Sequence, residues 1–360
     1  MPPLPSLDIY FTIRVEGEAP DLPFLGPTVR GLLGYGLRQT CCGHDAEDDG
    51  RCGMGDACTY AYLFEGPLQQ HMKGDRLQLD ALPQPFIPLV APPFSVRKAQ
   101  QRITFGVRLL GGATALASEV ATAVIAREPF GFGSRSKGFS LESVGIGGAV
   151  AWTRNADPSA DDLQSCVKYQ SARSIALPAP RAIPTQSCTL HWKFATPLAL
   201  GAPIGNADNW ARRLLDAASR RRWLLERAYE APSAAPHHPP RSIDTIDFAT
   251  RSVQVAPFRF ERRSTRHGGL VVLSGLIGSV SIHGPWHRHA DLLSAVDCYG
   301  AGQFNSFGFG QILTEVDHSD QHFEAAPPRS LRVLVEPHRI RSNVPRWVRL
   351  RGVPPPKPIQ

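Results

Sequence analysis

No apolar run in this 360-residue chain approaches the roughly 18 residues that a membrane-spanning helix needs. The opening Met-Pro-Pro-Leu-Pro-Ser lacks the charged-then-apolar pattern of a secretory leader, so a cytoplasmic protein is expected. Cysteines number seven, an odd count, and Cys41, Cys42, Cys52 and Cys58 crowd into one short stretch. That distribution argues against a disulfide framework and for metal or free thiols. Also missing is the Gly-Lys-Ser/Thr that would close a nucleotide-binding P-loop after the main glycine-rich stretch.

Glycine and proline themselves are plentiful, at 32 and 33. Residues 300–312 read Gly-Ala-Gly-Gln-Phe-Asn-Ser-Phe-Gly-Phe-Gly-Gln-Ile and run into the strand-like Leu313-Thr314-Glu315-Val316. An earlier stretch echoes them, Phe130-Gly131-Phe132-Gly133-Ser134-Arg135-Ser136-Lys137-Gly138-Phe139, again followed by a strand-like segment. Backbone N–H groups in such loops can form a concave nest for an anion. The plainer alternative is a pair of turns with aromatic plugs. A formal charge of +7 makes a polyanionic partner plausible.

The length fits two domains, each with its own core. Residues 7–15 have strand composition, and Pro27 opens a helix with Val29, Leu32, Leu33 and Leu37 at helical spacing. After the cysteine-rich excursion (41–58) come a proline-punctuated edge strand (85–93), a strand (102–110), an alanine-rich helix (113–126) and a final strand ending near Val150. This is βαββαβ, the ferredoxin-like order, over 1–154. Residues 155–187 read as a linker. A second βαββαβ unit occupies 188–320: strand 189–200, an arginine-rich helix 206–229, strands 252–260 and 270–282, a short helix 287–297 and a last strand 310–316. The expected class is thus α+β, with tandem ferredoxin-like domains, a cysteine-rich insertion and a basic, proline-rich tail over 321–360.

Five stretches together resemble one family. They are Arg30-Gly31-Leu32-Leu33-Gly34 with the cysteine cluster ending in Cys58–Glu65, then Gly131–Val144, then Phe194-Ala195-Thr196-Pro197-Leu198. Arg263-Ser264-Thr265-Arg266-His267 with Leu273–Gly278, and finally Leu292–Gly310, complete the set. In order and spacing the chain resembles the CRISPR-associated endoribonucleases that process precursor CRISPR RNA, within the RAMP superfamily. The resemblance implies paired ferredoxin-like domains that bind CRISPR repeat RNA and cut it once, and possible company among CRISPR effector-complex subunits. It departs from the family at Gln303, where a Lys often stands, and at Asp49, where a second thiol of a Cys-x-x-Cys pair would be.

RNA carries its own nucleophile, the 2′-hydroxyl, so strand cleavage to a 2′,3′-cyclic phosphate and a 5′-hydroxyl needs no cofactor. It needs a proton acceptor and donor, for which histidine is suited, and cations against the charge growing on phosphorus. The resemblance places the general base in or just after the first helix, facing the last glycine loop. That region offers His44 as base or acid, Arg38 as charge stabiliser, and Tyr35 and Arg30 nearby, with His267 as an alternative proton carrier. Each has a plainer role: His44 as a zinc ligand or loop residue, Arg38 as a solvent-facing residue, Tyr35 as interface packing.

Candidate RNA contacts are Arg135 and Lys137 in the first glycine loop, Arg212, Arg213 and Arg220 on the long helix, and Arg262, Arg263 and Arg266 between two strands. Gly302, Gln303, Phe304, Phe307 and Gly308 join them in the last loop, the phenylalanines either stacking on bases or packing behind the loop. Cys41, Cys42, Cys52 and Cys58, with His44 as a substitute for one of the first two, could hold a structural zinc. The alternative reading keeps the architecture and drops the chemistry: a non-cleaving subunit that holds the repeat-derived handle of a CRISPR RNA.

Overall fold

The computed structural model describes residues 4–17, 22–42, 58–65, 83–90, 101–132, 138–154, 160–177, 182–201, 210–229, 240, 242–263 and 269–317. His44, Cys52, Arg135, Lys137, Arg266, His267, the side chain of Arg263 and the basic tail lie outside them.

The first unit comprises β1 (Ser6–Val15), α1 (Gly26–Cys41), α2 (Thr59–Phe64), β2 (Phe86–Leu89), β3 (Arg102–Leu110), α3 (Ala117–Ala126), β4 (Phe139–Ile146) and β5 (Ala149–Thr153). Its antiparallel sheet has the order β2-β3-β1-β4-β5. After α4 (Ala160–Ser174), the second unit runs β6 (Cys188–Leu198), α5 (Trp210–Tyr229), β7 (Ala249–Arg263), β8 (Leu270–Gly284), α6 (Ala290–Tyr299) and β9 (Ile312–Asp317), with the order β7-β8-β6-β9. In both, the first strand lies between the third and the fourth, which is the ferredoxin-like arrangement. The expected α+β class with tandem ferredoxin-like units is what the chain adopts.

Period-two patterning explains the sheets. Leu7, Ile9, Phe11, Ile13 and Val15 of β1 are buried, while Asp8, Tyr10, Thr12 and Arg14 face the other way. The apolar stripe of α1, Val29, Leu32, Leu33 and Leu37, covers the buried face. Pro88 is tolerated because β2 is an edge strand bonded only to β3.

Two elements differ from the sequence expectation. The stretch 155–187 is not only linker: α4 buries Leu163 and Val167, four residues apart, and packs beside α3. So short a stripe, on an otherwise polar helix, is a weak signal in sequence. The strand ending near Val150 is instead a hairpin, β4 and β5, joined at Gly147-Gly148 with φ of 58° and 84°. Paired positive φ values are what a tight hairpin turn demands.

The two cores meet. Phe258, Leu273 and Phe309 of the second unit join the first core, and Leu4, Ile87 and Leu110 join the second. Phe24 touches Phe258, Phe260 and Phe309 edge-on at 5.6, 5.9 and 5.3 Å between centroids. Polar stitches add direction. Arg108 on β3 forms a bidentate pair with Asp8 at 2.6 and 2.7 Å, and donates to the carbonyls of Asp297 and Cys298 at 2.7 and 3.0 Å. Those carbonyls end α6, where the helix dipole favours a cation. Tyr299 donates to the Leu4 carbonyl and Tyr229 to that of Pro83. No helix among the described residues is long and apolar enough to cross a membrane.

Candidate nucleic-acid interface

The seam between α1 and the last glycine loop is where the sequence candidates converge. Glycine makes the approach possible. A Cβ on Gly26, at the start of α1, would lie 2.0 Å from the Phe307 carbonyl oxygen. The loop is equally tight within the second unit, since a Cβ on Gly302 would meet the Ala199 oxygen at 2.2 Å, and Gly302 has a φ of 73°. Phe304, with a φ of 61°, holds the left-handed position that opens the short turn Asn305–Phe307. Buried Asn305 pins the loop by donating to the Ala301 and Phe309 carbonyls.

Most of the loop's amides are not available to form the nest that its glycines suggest. The N–H groups of Gly300, Ala301, Gln303, Phe307, Gly308, Phe309 and Gly310 all donate to backbone carbonyls of the second unit. That of Gln311 goes to the Thr196 hydroxyl, and the Gln311 side chain donates to the Pro88 carbonyl across the seam. Gly302 and Gly308 permit close packing, and the loop is seated as a wedge between the units.

Positive charge comes from side chains arranged on rings. Arg38 lies over Tyr60, with 4.6 Å from Cζ to centroid. Tyr60 stacks on Phe64, with 5.1 Å between centroids and 7° between planes. Arg30 lies over Phe64 at 4.9 Å and over Phe307 at 4.5 Å. Arg262, near the end of β7, lies over the same Phe307 ring at 4.8 Å. The result is an alternating row of guanidinium and aromatic groups from the end of α1 to the second sheet. Arg30 is fixed further by donating to Gln84, whose own amide donates to the Phe64 carbonyl. Burial lowers the pKa of Arg262, which marks a cation in a partly desolvated place. A cation on a ring face, away from bulk water, keeps its charge available to an anionic ligand.

Of the proposed catalytic set, Arg30, Tyr35 and Arg38 share α1, and Tyr35 is exposed. Phe307 and Arg262 come to them from the second unit. Phe304 is partly buried against Phe309 at 5.8 Å, and Gln303 is exposed beside them. The α5 arginines are elsewhere. Arg212 and Arg220 are exposed on the helix, Arg213 is half-buried, Arg222 pairs with Glu226, and Arg221 is buried with its Nε donating to the Tyr299 carbonyl. Burial brings Arg221 down to about 9. Sequence reading missed Gln84, Tyr60 and Phe64 as parts of the row, though an arginine-glycine helix start followed by Tyr-x-Tyr-x-Phe was there to be seen.

At the cysteine cluster, the thiols of Cys42 and Cys58 are 3.8 Å apart, whereas Cys41 is exposed and turns towards Thr40. Among the described residues no group of three or more metal-ligating side chains is assembled.

Residues 4–156, less than half of the chain, match the family AF_1859_N, described as an N-terminal domain. Comparison with curated proteins gives no match. Among solved structures, the chain is similar to a Cas6 product complex at 12% identity, with 86% of this chain and 99% of that one covered and a TM-score of 0.46. It is similar to Thermus thermophilus Cas6 at 10% identity, covering 87% and 99%, with a TM-score of 0.45. A Cas6-related protein from Pyrococcus furiosus is similar at 9% identity, covering 87% and 99%, with a TM-score of 0.43.

Proposed function

We propose that this chain is a CRISPR-associated endoribonuclease of the RAMP superfamily that binds repeat RNA and cuts the precursor within the repeat. The observation that carries the reading is the row Arg38–Tyr60–Phe64–Arg30–Phe307–Arg262 at the seam between the units. Guanidinium groups held on ring faces suit a phosphate backbone, and rings beside them suit bases.

In the proposed reaction the substrate's 2′-hydroxyl attacks the neighbouring phosphorus and the 5′-oxygen leaves. Arg38, at the α1 end of the row, opposes the charge that grows on the phosphoryl oxygens. Arg30 and Arg262 hold flanking phosphates. His44 takes or supplies a proton, Tyr35 is a hydroxyl on the same helix as Arg38, and His267 is the alternative from the second unit. Arg135, Lys137, Arg263 and Arg266 extend the cationic surface.

One observation favours a second reading. Among the described residues the seam contains arginine and tyrosine but no histidine, since His191, His283, His287 and His289 sit on the second sheet and at the entry to α6. A chain without a proton carrier there would bind the repeat-derived handle and leave it whole, as a subunit among other CRISPR proteins. Incubation with end-labelled repeat RNA in EDTA separates the two. Cleavage to a cyclic-phosphate end supports the first reading and tight binding without cleavage the second. Neither binding nor cleavage removes both.

A structural zinc belongs to the same proposal. Two thiolates on one tetrahedral zinc, at about 2.3 Å each, lie roughly 3.8 Å apart, and Cys42 and Cys58 have that separation. Cys52 with Cys41 or His44 would complete the set. Zinc would tie the end of α1 to the start of α2, and so hold Tyr60 under Arg38. Zinc content near one ion per chain, lost in Cys58→Ser, is the expected result.

A further inference from the structure

Beside the arginine row, the turn after α3 carries an aromatic surface that folding does not use. Phe130 is 55% exposed and Tyr35, across from it on α1, is 48% exposed. Between them sits the guanidinium of Arg127, 4.3 Å from the Phe130 centroid and 5.5 Å from that of Tyr35. Among the described residues Arg127 is in no ion pair. Its sequence neighbour Glu128 is committed elsewhere, accepting from Arg154 and from the Leu141 amide. Gly131, with a φ of 81°, turns the chain away directly after Phe130, so the ring stands clear of the turn.

The platform adjoins the seam, because Tyr35 lies on α1 between Arg30 and Arg38, the two arginines that the helix gives to the row. An exposed phenylalanine stacked on an arginine has little to offer folding, and much to offer a flat ligand. Every base has a π face, and stacking on a ring or a guanidinium needs no particular sequence.

We propose that Phe130, Arg127 and Tyr35 form a stacking platform for one unpaired base of an RNA strand whose neighbouring phosphates lie on Arg262 and Arg30. The proposal rests on the RNA reading given above and adds to it that the substrate is single-stranded at that nucleotide. A base inside a helix has both faces covered by its neighbours, and could not lie flat on the platform. An apolar peptide segment is the competing occupant.

The test walks a single abasic site along the repeat RNA and measures affinity for the wild type, Phe130→Ala, Phe130→Trp and Arg262→Ala. Phe130→Ala is expected to weaken intact RNA by about tenfold, within the range of one lost base stack, and Phe130→Trp to restore it. At one position the abasic RNA should bind the wild type about tenfold more weakly, and Phe130→Ala should then add nothing. Arg262→Ala should weaken all the RNAs alike.

Unchanged affinity in Phe130→Ala, or a loss of the same size at every abasic position, overturns the platform while a loss in Arg262→Ala keeps the RNA reading. A Phe130→Ala protein that binds RNA normally but loses a protein partner assigns the surface to a peptide and overturns the proposal. A wild type that binds no RNA overturns both. Phe130 is exposed, so an unchanged circular-dichroism spectrum and melting curve are expected for its variants.

Discussion

The two units share a strand order yet bring opposite things to the seam between them. The first brings side chains: Arg30, Tyr35 and Arg38 on α1, with Tyr60 and Phe64 on α2. The second brings mainly backbone, a glycine-lined loop most of whose amides bond to carbonyls of its own unit, together with the Phe307 ring and Arg262. Duplicate topology therefore does not mean duplicate chemistry. The first unit supplies two of the row's three arginines, and the second supplies the third together with the wedge against which they are set. Glycine on α1 serves both the seam and the first unit's own packing, as Gly26 admits the Phe307 carbonyl and Gly36 admits that of Ala123.

If the seam is a built joint rather than two surfaces that happen to touch, its polar stitch should matter most to stability. Arg108→Ala leaves Asp8 without its bidentate partner and frees the last carbonyls of α6. The expected loss is roughly 2–3 kcal/mol, below the full cost of stranding one member of a buried pair because both side chains remain partly exposed, measured by urea unfolding. A loss below about 1 kcal/mol would mean that the units are independent. Next in size is Gly26→Ala. A methyl group 2.0 Å from the Phe307 oxygen cannot be accommodated without moving α1 or the loop. Overpacking of this kind costs about 1–3 kcal/mol, and RNA cleavage should fall further than the melting temperature suggests, because the row is broken where Phe307 meets Arg30.

A smaller effect separates the ends of the row. Arg38→Ala should slow single-turnover cleavage by about 100-fold, the size of one lost electrostatic contact to the transition state, while changing affinity less than threefold. Arg262→Ala should do the reverse, weakening binding by about tenfold and flattening the salt dependence by about 0.7 in slope, one phosphate contact to a single strand. Equal effects of the two on binding and on rate would erase the proposed division of labour.

The repeated βαββαβ order was legible because β1, α1, β3 and β6 carry strong periodic patterns and because glycine and proline mark their ends. The arginine row was half legible. Arg30, Arg38, Arg262 and Phe307 stand out as residue types, but nothing in linear spacing says that Phe307 lies under two guanidinium groups from different units. That fact depends on Gly26 and on the positive φ of Gly308, which is a matter of three-dimensional approach. Conversely, glycine density at 300–312 pointed to an anion nest, and only the hydrogen-bond partners of those amides show it to be a wedge. Phe130 was visible as a letter but not as an exposed ring. Its exposure follows from the turn at Gly131.

The finest comparison lies within one sheet face. Arg102 and Arg108 both point from β3, six residues apart, and both make 2.6 Å ion pairs, with Glu142 and Asp8. They differ in setting. The Arg108 and Asp8 side chains are 21% and 24% exposed and the second unit covers them, whereas Arg102 is 64% exposed. Water and salt screen an exposed pair, and the entropy of holding two long side chains offsets what is left. Arg102→Ala should therefore leave the urea midpoint essentially unchanged. A trace should still be visible in the Glu142 carboxyl, which Arg102 and Arg14 together hold below its ordinary range. A carboxyl lowered in the folded state adds stability above its unfolded pKa, and that contribution disappears as pH falls through the folded value. Arg102→Ala should therefore raise the Glu142 titration in an NMR experiment and, by removing the small part of the neutral-pH stability that the pair contributes, shrink the acid-side loss. An Arg102→Ala protein as destabilised as Arg108→Ala would show that hydrogen-bond geometry, and not cover by the second unit, sets the strength of these pairs.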